Sequence, residues 1–266
     1  MKVRVTRMAL VCISLILMGL IFTSQSIAAD IDPGTLEGLW LFDESTGNVA
    51  KDSSGKGLDA KRMGNPKWVA GKFGKALEFD GAGAFIEIPA HENPSTAITV
   101  SAWVKSATPT WNQHGWVVEK RDAYMLHPVL GEINMGWIVC NGGCWNQPGQ
   151  WTDGKIGPKD ITQWHMYTGT FDSKSGAWKL YIDGKVESTL DLNKAKIVVD
   201  NGPIFIGQDT CCPPRWGAGS VDEVAIFNVA LTEKEVQAIY EGFESALAVK
   251  PAGKLTTRWA DIKTQD

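Results

Sequence analysis

The stretch from Gly217 to Tyr240 constrains the fold more than any other part of this sequence. Val221, Glu223, Ala225 and Phe227 fall on one face of an extended chain and Asp222, Val224 and Ile226 on the other, so both faces carry apolar side chains. That pattern predicts a central strand covered on both sides. Thr232 then stands at an N-cap, Glu235 completes a capping box and Leu231 is placed to staple against Val236, so the strand closes into one short helix. An aspartate inside such a strand is costly unless its charge is compensated, and a bound cation is one compensation.

Helical periodicity is almost absent elsewhere. Leu36 to Phe42, Ala76 to Asp80, Phe85 to Ile88, Ala97 to Lys105, Trp116 to Glu119, Gly136 to Cys140, Trp164 to Phe171, Trp178 to Ile182 and Ile204 to Ile206 read as strands. Asp183-Gly184 is a type I′ turn signal joining Trp178–Ile182 to Lys185–Leu190. The fold class is therefore all-β, a two-sheet antiparallel sandwich of the jelly-roll kind. Two long stretches, 106–115 and 141–158, are rich in Gly, Asn, Gln and Trp and read as functional loops.

Residues 1–29 have basic Lys2, Arg4 and Arg7, an apolar run from Met8 to Phe22 and a small-residue end at Ser26-Ile-Ala-Ala29, the pattern of a secretory signal peptide. The apolar run is short for a membrane anchor. Cleavage after Ala29 removes three positive charges and no negative ones, taking the formal charge from −4 to −7. Nucleic acid and anionic membranes are thereby disfavoured as partners, and no later apolar run is long enough to span a bilayer. The expected organisation is a signal peptide over 1–29, one domain over 30–242 and a tail over 243–266. The expected location is secreted, periplasmic or cell-surface associated.

Cys140, Cys144, Cys211 and Cys212 remain after the signal segment, an even count that reads as disulfides in an exported chain, with three connectivities open. A bond between adjacent Cys211 and Cys212 would close a strained ring, which favours each pairing with one of Cys140 and Cys144. A four-sulfur zinc site is the rival reading, with poor ligand spacing.

The motifs Gly38-Leu-Trp-Leu-Phe-Asp-Glu44, Asp52-Ser-Ser-Gly-Lys-Gly57, Gly71-Lys-Phe-Gly-Lys-Ala-Leu-Glu-Phe-Asp-Gly81, Val100-Ser-Ala-Trp-Val104, Trp164-His165, Leu180-Tyr-Ile-Asp-Gly184 and Val221-Asp-Glu-Val-Ala-Ile-Phe-Asn228 occur in an informative order. With them the chain resembles the laminin-G-like domains of the concanavalin A-like lectin/glucanase superfamily. The resemblance implies two curved antiparallel sheets, a secreted binding module and a structural calcium. Asp43, Asp80 and Asp222, at strand ends or turns, are the candidate calcium ligands. Related jelly rolls include lectins and glycoside hydrolases, so fold alone does not decide activity.

Laminarinase-type members carry Glu-x-Asp-x-x-Glu on one strand; here Glu78-Phe-Asp80 makes half of it and Gly83 stands where the acid belongs. No catalytic residue is assigned, although Glu119, Asp122 or Glu132 could assemble a pair across strands. The ligand signal is aromatic, with twelve tryptophans in the chain. Trp40, Trp103, Trp164 and Trp178 read as core, and Trp111, Trp116, Trp137, Trp145, Trp151 and Trp216 sit in or beside the polar loops. A flat aromatic beside Asn or Arg suits the apolar face and hydroxyl rim of a sugar. The candidate ligand set is Trp111, Trp116, Asn141, Trp145, Trp151, Arg215 and Trp216. The expected function is non-catalytic glycan binding, with a glycoside hydrolase or lyase and a protein-adhesion module as alternatives.

Overall fold

A computed structural model describes residues 31–143, 156–211 and 213–247. In chain order the strands are β1 (Leu36–Trp40), β2 (Val49–Ala50), β3 (Ala60–Met63), β4 (Lys67–Ala70), β5 (Lys75–Asp80), β6 (Phe85–Ile88), β7 (Ala97–Ser106), β8 (Val118–Lys120), β9 (Tyr124–Pro128), β10 (Met135–Val139), β11 (His165–Asp172), β12 (Ala177–Ile182), β13 (Lys185–Asp191), β14 (Ile204–Ile206), β15 (Gln208–Asp209), β16 (Arg215–Trp216) and β17 (Ala218–Phe227). The helices are α1 (Glu233–Tyr240) and α2 (Phe243–Ala246).

One antiparallel sheet runs β13-β12-β11-β7-β17-β5-β4, with β1 also paired to β17, and the other runs β10-β9-β8-β14-β6-β3-β2. β15 and β16 form a separate two-stranded ribbon. The all-β jelly-roll sandwich expected from the sequence is what forms. Between the sheets lies a core in which Ile98, Val100, Ala102 and Val104 of β7 meet Leu126 and Trp137 from the facing sheet, all buried. Trp103 points the other way into a second core, with Leu39, Phe227, Val236, Ile239 and Phe243, where the helices cover the outer face of the first sheet.

The alternation read from β17 breaks within the strand. Asp222 pairs with Trp103 and Ala225 with Ser101, so β17 carries one extra residue there, and Glu223 adopts φ 44° at the bulge. The extra residue resets the two-residue period. Val221, Val224 and Ile226 all face the inter-sheet core, whereas Ala225 and Phe227 belong to the outer cluster. The sequence pattern placed Val221 with Ala225 and Phe227, and the bulge overturns that grouping.

The local signals form as expected. Asp183 and Gly184 both have positive φ, 51° and 75°, in the turn from β12 to β13. The Thr232 hydroxyl accepts from the Glu235 N–H while the Glu235 carboxylate accepts from the Thr232 N–H, a complete capping box. Phe243 and Ala246, at the start of the expected tail, pack into the outer core instead.

Candidate functional site

The second sheet has one face in the inter-sheet core, occupied by Val118, Leu126, Trp137, Ile204 and Ile206. The register then lines Ile138, Met125, Glu119, Phe205 and Glu87 across the opposite face. Glu119 sits in the middle of that row and is fully buried, so its charge needs partners. Thr210, directly after β15, supplies them: its hydroxyl donates to Oε1 and its N–H to Oε2, both at 2.7 Å. Burial still pushes the Glu119 carboxyl up to about 7, with the neighbouring Asp209 charge adding to the rise and the Thr210 hydrogen bonds opposing it.

Asp209 is also fully buried and is the hub of the site. Its Oδ1 pairs with Arg121 Nη1 and accepts the Cys211 N–H at 2.8 Å, and its Oδ2 accepts from Arg215 Nη1 at 3.1 Å. The Arg121 guanidinium also lies 3.7 Å from Glu119 Oε1. Two arginines, one from the turn after β8 and one from β16, are thus anchored on one carboxylate, each with more than a quarter of its side chain exposed. Gly115 crosses directly above, at φ 68°, and a Cβ there would stand 2.6 Å from Asp209 Oδ2. Next to Gly115, the His114 ring lies 5.4 Å from the His127 ring. Burial holds the His127 imidazole far below its usual range, down to about 3, and lowers His114 too, with Arg215 contributing.

The expected ligand residues divide sharply. Arg215 and Trp216 lie half-buried on β16, held against β15 by the pairs Gln208↔Trp216 and Asp209↔Arg215. Trp111 and Trp116 are corrections: both are buried in the inter-sheet core, edge to face with centroids 5.8 Å apart, and offer no ring face to a ligand. Trp137 is buried with them. Asn141 is another correction, since it is fully buried and its Nδ2 donates to the Asn193 carbonyl at 2.8 Å and side-chain oxygen at 3.0 Å. Its polar group holds two loops together. Trp145 and Trp151 lie outside the described residues, as do Cys144, Cys212 and the segment 1–29.

Cys140 and Cys211 flank the same ion pair, and the expected pairing of Cys211 with Cys140 or Cys144 is a correction, because that bond is not formed. The Cys140 Sγ lies 4.0 Å from the Arg121 carbonyl, and the Cys211 N–H is bonded to Asp209. Sequence reasoning singled out Glu119 as a carboxylate that could pair across strands but missed Asp209 and Arg121. Asp209 directly precedes Thr210-Cys211-Cys212, and a buried Asp before a turn looks like any turn Asp until its partners fold against it.

The three candidate calcium aspartates do not come together. Asp80 Oδ1 caps its own turn, accepting from the Ala82 and Ala84 N–H groups at 2.8 and 3.2 Å, and Asp80 pairs with Ala218, four residues along β17 from Asp222. Asp222 is fully buried; its Oδ2 accepts from the Lys72 and Phe73 N–H groups at 2.8 and 3.0 Å, and its Oδ1 has no hydrogen-bond partner. Asp43 Oδ1 accepts from Lys75 N–H at 2.9 Å, at the other end of the same loop. Burial pushes the Asp222 carboxyl up to about 7, and the Asp43 charge raises it further against its backbone hydrogen bonds. Among the described residues no three His, Cys, Asp or Glu side chains converge as a metal cluster.

A family model described as the concanavalin A-like lectin/glucanases superfamily matches residues 80–237. No curated protein matches the sequence. The chain is similar in structure to the binding domain of Paraclostridial Mosquitocidal Protein 1, at 17% identity and TM-score 0.60, covering 79% of this chain and 53% of that one. It is similar to domain 4 of AbnA, a GH43 extracellular arabinanase from Geobacillus stearothermophilus solved with arabinotriose, at 23% identity and TM-score 0.56, covering 77% of this chain and 98% of that one. A third neighbour is the botulinum neurotoxin serotype D ligand binding domain in complex with N-acetylneuraminic acid, at 16% identity and TM-score 0.55, covering 79% and 52%. The chain spans about half the length of the two toxin domains. These neighbours are binding domains or are seen with a bound sugar, and at such identities the likeness is one of fold. Among the described residues no helix is long and apolar enough to cross a membrane.

Proposed function

Because the chain belongs to the concanavalin A-like lectin/glucanases superfamily, we propose that it is a secreted, non-catalytic module that binds a glycan. The observation that carries this reading is the condition of Glu119 and Asp209. A glycosidase needs two carboxyl groups facing the scissile bond across a cleft. Here both are fully buried, and all four oxygens accept from Thr210, Cys211, Arg121 or Arg215. They anchor other groups and expose none of their own oxygens. What reaches solvent above them is a guanidinium pair, donors that suit the hydroxyl rim of a sugar, while the half-buried Trp216, on the opposite face of β16 from Arg215, offers a separate aromatic surface. The arabinanase domain solved with arabinotriose, nearly all of which this chain covers, supports the same class of ligand.

Two supporting features belong to this reading. A disulfide at Cys140 would brace the strand end that flanks Arg121. A structural calcium ion would be held by Asp222 Oδ1 and Asp43, with backbone carbonyls and water completing the oxygen shell such an ion requires. The unpartnered, buried Asp222 oxygen is the reason to expect a cation there. Bound calcium would supply charge compensation and fix the loop 71–74; it takes no part in chemistry.

Titration of the full chain against a panel of neutral and acidic oligosaccharides, with calcium and again with chelator, tests the proposal. Saturable binding without release of reducing ends is the expected result. Release of reducing ends, or no binding by folded protein to any member of the panel, would overturn it.

A further inference from the structure

We propose that the Arg121–Asp209–Arg215 cluster is a carboxylate receptor, so that the glycan this module takes is an acidic one built from uronic acids; this rests on the glycan-binding reading above. Arg121 comes from the turn after β8, whereas Arg215 sits on β16 directly opposite Asp209 in the ribbon pairing. They meet because both donate to one fully buried carboxylate, Asp209. A guanidinium has five N–H donors in a rigid plane, and the Asp209 bond engages only Nη1 of Arg215. The Arg215 side chain is 29% exposed, and its position is set from below by Asp209.

The donors left over favour an anion. The chain as a whole is acidic, with a formal net charge of −4, yet this spot gathers two arginines against the Asp209 carboxylate. Glu119, the other carboxylate in reach, lies 3.7 Å from Arg121 and offsets part of its charge, but both its oxygens are taken by Thr210 and neither points outward, so the donors left to a ligand are those of Arg215. A sugar carboxylate can accept the paired N–H groups of a guanidinium in one plane, whereas a hydroxyl cannot take both.

The test compares trigalacturonate with its fully methyl-esterified form by calorimetry on the full chain, alongside Arg215→Gln, Arg215→Lys and a neutral panel that includes arabinotriose. The acid is expected to bind about 10-fold to 100-fold tighter than the ester, the size of one or two charge-assisted hydrogen bonds. Arg215→Gln should erase that preference. Arg215→Lys, which keeps the charge and loses the fork, should keep only part of it, with circular dichroism showing both variants folded. Equal affinity for acid and ester, or a preference untouched by Arg215→Gln, overturns the inference. If only neutral oligosaccharides bind, the inference fails while the glycan reading stands; if nothing in either set binds, both fail.

Discussion

Asp222 accepts the Lys72 N–H at 2.8 Å, although 150 residues separate them along the chain. The closing strand of the sandwich thereby fixes the loop that leads into β5 through a carboxylate that has only one of its oxygens satisfied. Such a group is under electrostatic load in the metal-free protein, which gives the site a measurable signature.

In chelator, burial should hold the folded Asp222 carboxyl up at about 7, well above the ordinary aspartate range. The folded state therefore holds a proton that the unfolded state releases, and stability should fall as pH rises from about 4 to about 7. Calcium should remove that slope and raise the melting temperature at pH 8. Asp222→Asn should lose the calcium response while melting higher than wild type in chelator at pH 8. A melting temperature indifferent to calcium in a sample first stripped of metal would count against the cation.

Trp116 and Trp216 should behave in opposite ways. Trp116→Ala empties a fully buried position and should cost about 3–5 kcal/mol in denaturant unfolding. Trp216→Ala, half-buried on the ribbon, should leave the midpoint nearly unchanged and weaken oligosaccharide binding measured by titration.

His165 should titrate above an ordinary histidine. Its Nδ1 lies 2.7 Å from Asp183 Oδ2, and that bond, more than the opposing effect of burial, holds the imidazole up. Its contribution is full below about pH 6.5 and is lost as pH rises through the raised folded pKa. Proton NMR should place His165 above His114, and Asp183→Asn should bring it down.

Thr232→Ala should destabilise the protein by about 1 kcal/mol, the usual cost of an N-cap hydroxyl. Thr232→Ser should restore most of it, because the hydroxyl that accepts the Glu235 N–H returns. Chemical denaturation of the three proteins side by side checks both.

Lys120→Met should cost about 2 kcal/mol or more in the same assay. Lys120 is fully buried, and its Nζ donates to the carbonyls of His91 at 2.8 Å and Gly202 at 2.5 Å, tying together two loops at one end of the second sheet. Removing the ammonium leaves both carbonyls without that donor.

Much of the architecture was legible locally. Period-two patterning in Ala97–Lys105 put Ile98, Val100, Ala102 and Val104 opposite Trp103, and the two cores are built that way. Asp183-Gly184 and the box from Thr232 to Glu235 depend on residues within four positions of one another, so their geometry follows from their own chemistry. The bulge at Glu223 was not legible, because an apolar strand reads the same with or without an extra residue until its partners fix the register.

The sequence by itself determined the sandwich, its principal turns and the family, since these rest on short-range backbone preference and on the alternation of apolar side chains. Only the tertiary structure decided which tryptophans face a ligand and which carboxylates share a site. Trp111 and Trp116 come from a stretch that reads as a polar loop but enter the core, because a large indole gains more from burial between sheets than from solvent. Asp209 acquires its role from Arg215, its cross-strand neighbour on β16, and from Arg121, which reaches it from the turn after β8. The long-range meeting of charges has no signature in the order of residues, because it depends on where two sheets and a ribbon bring distant side chains together.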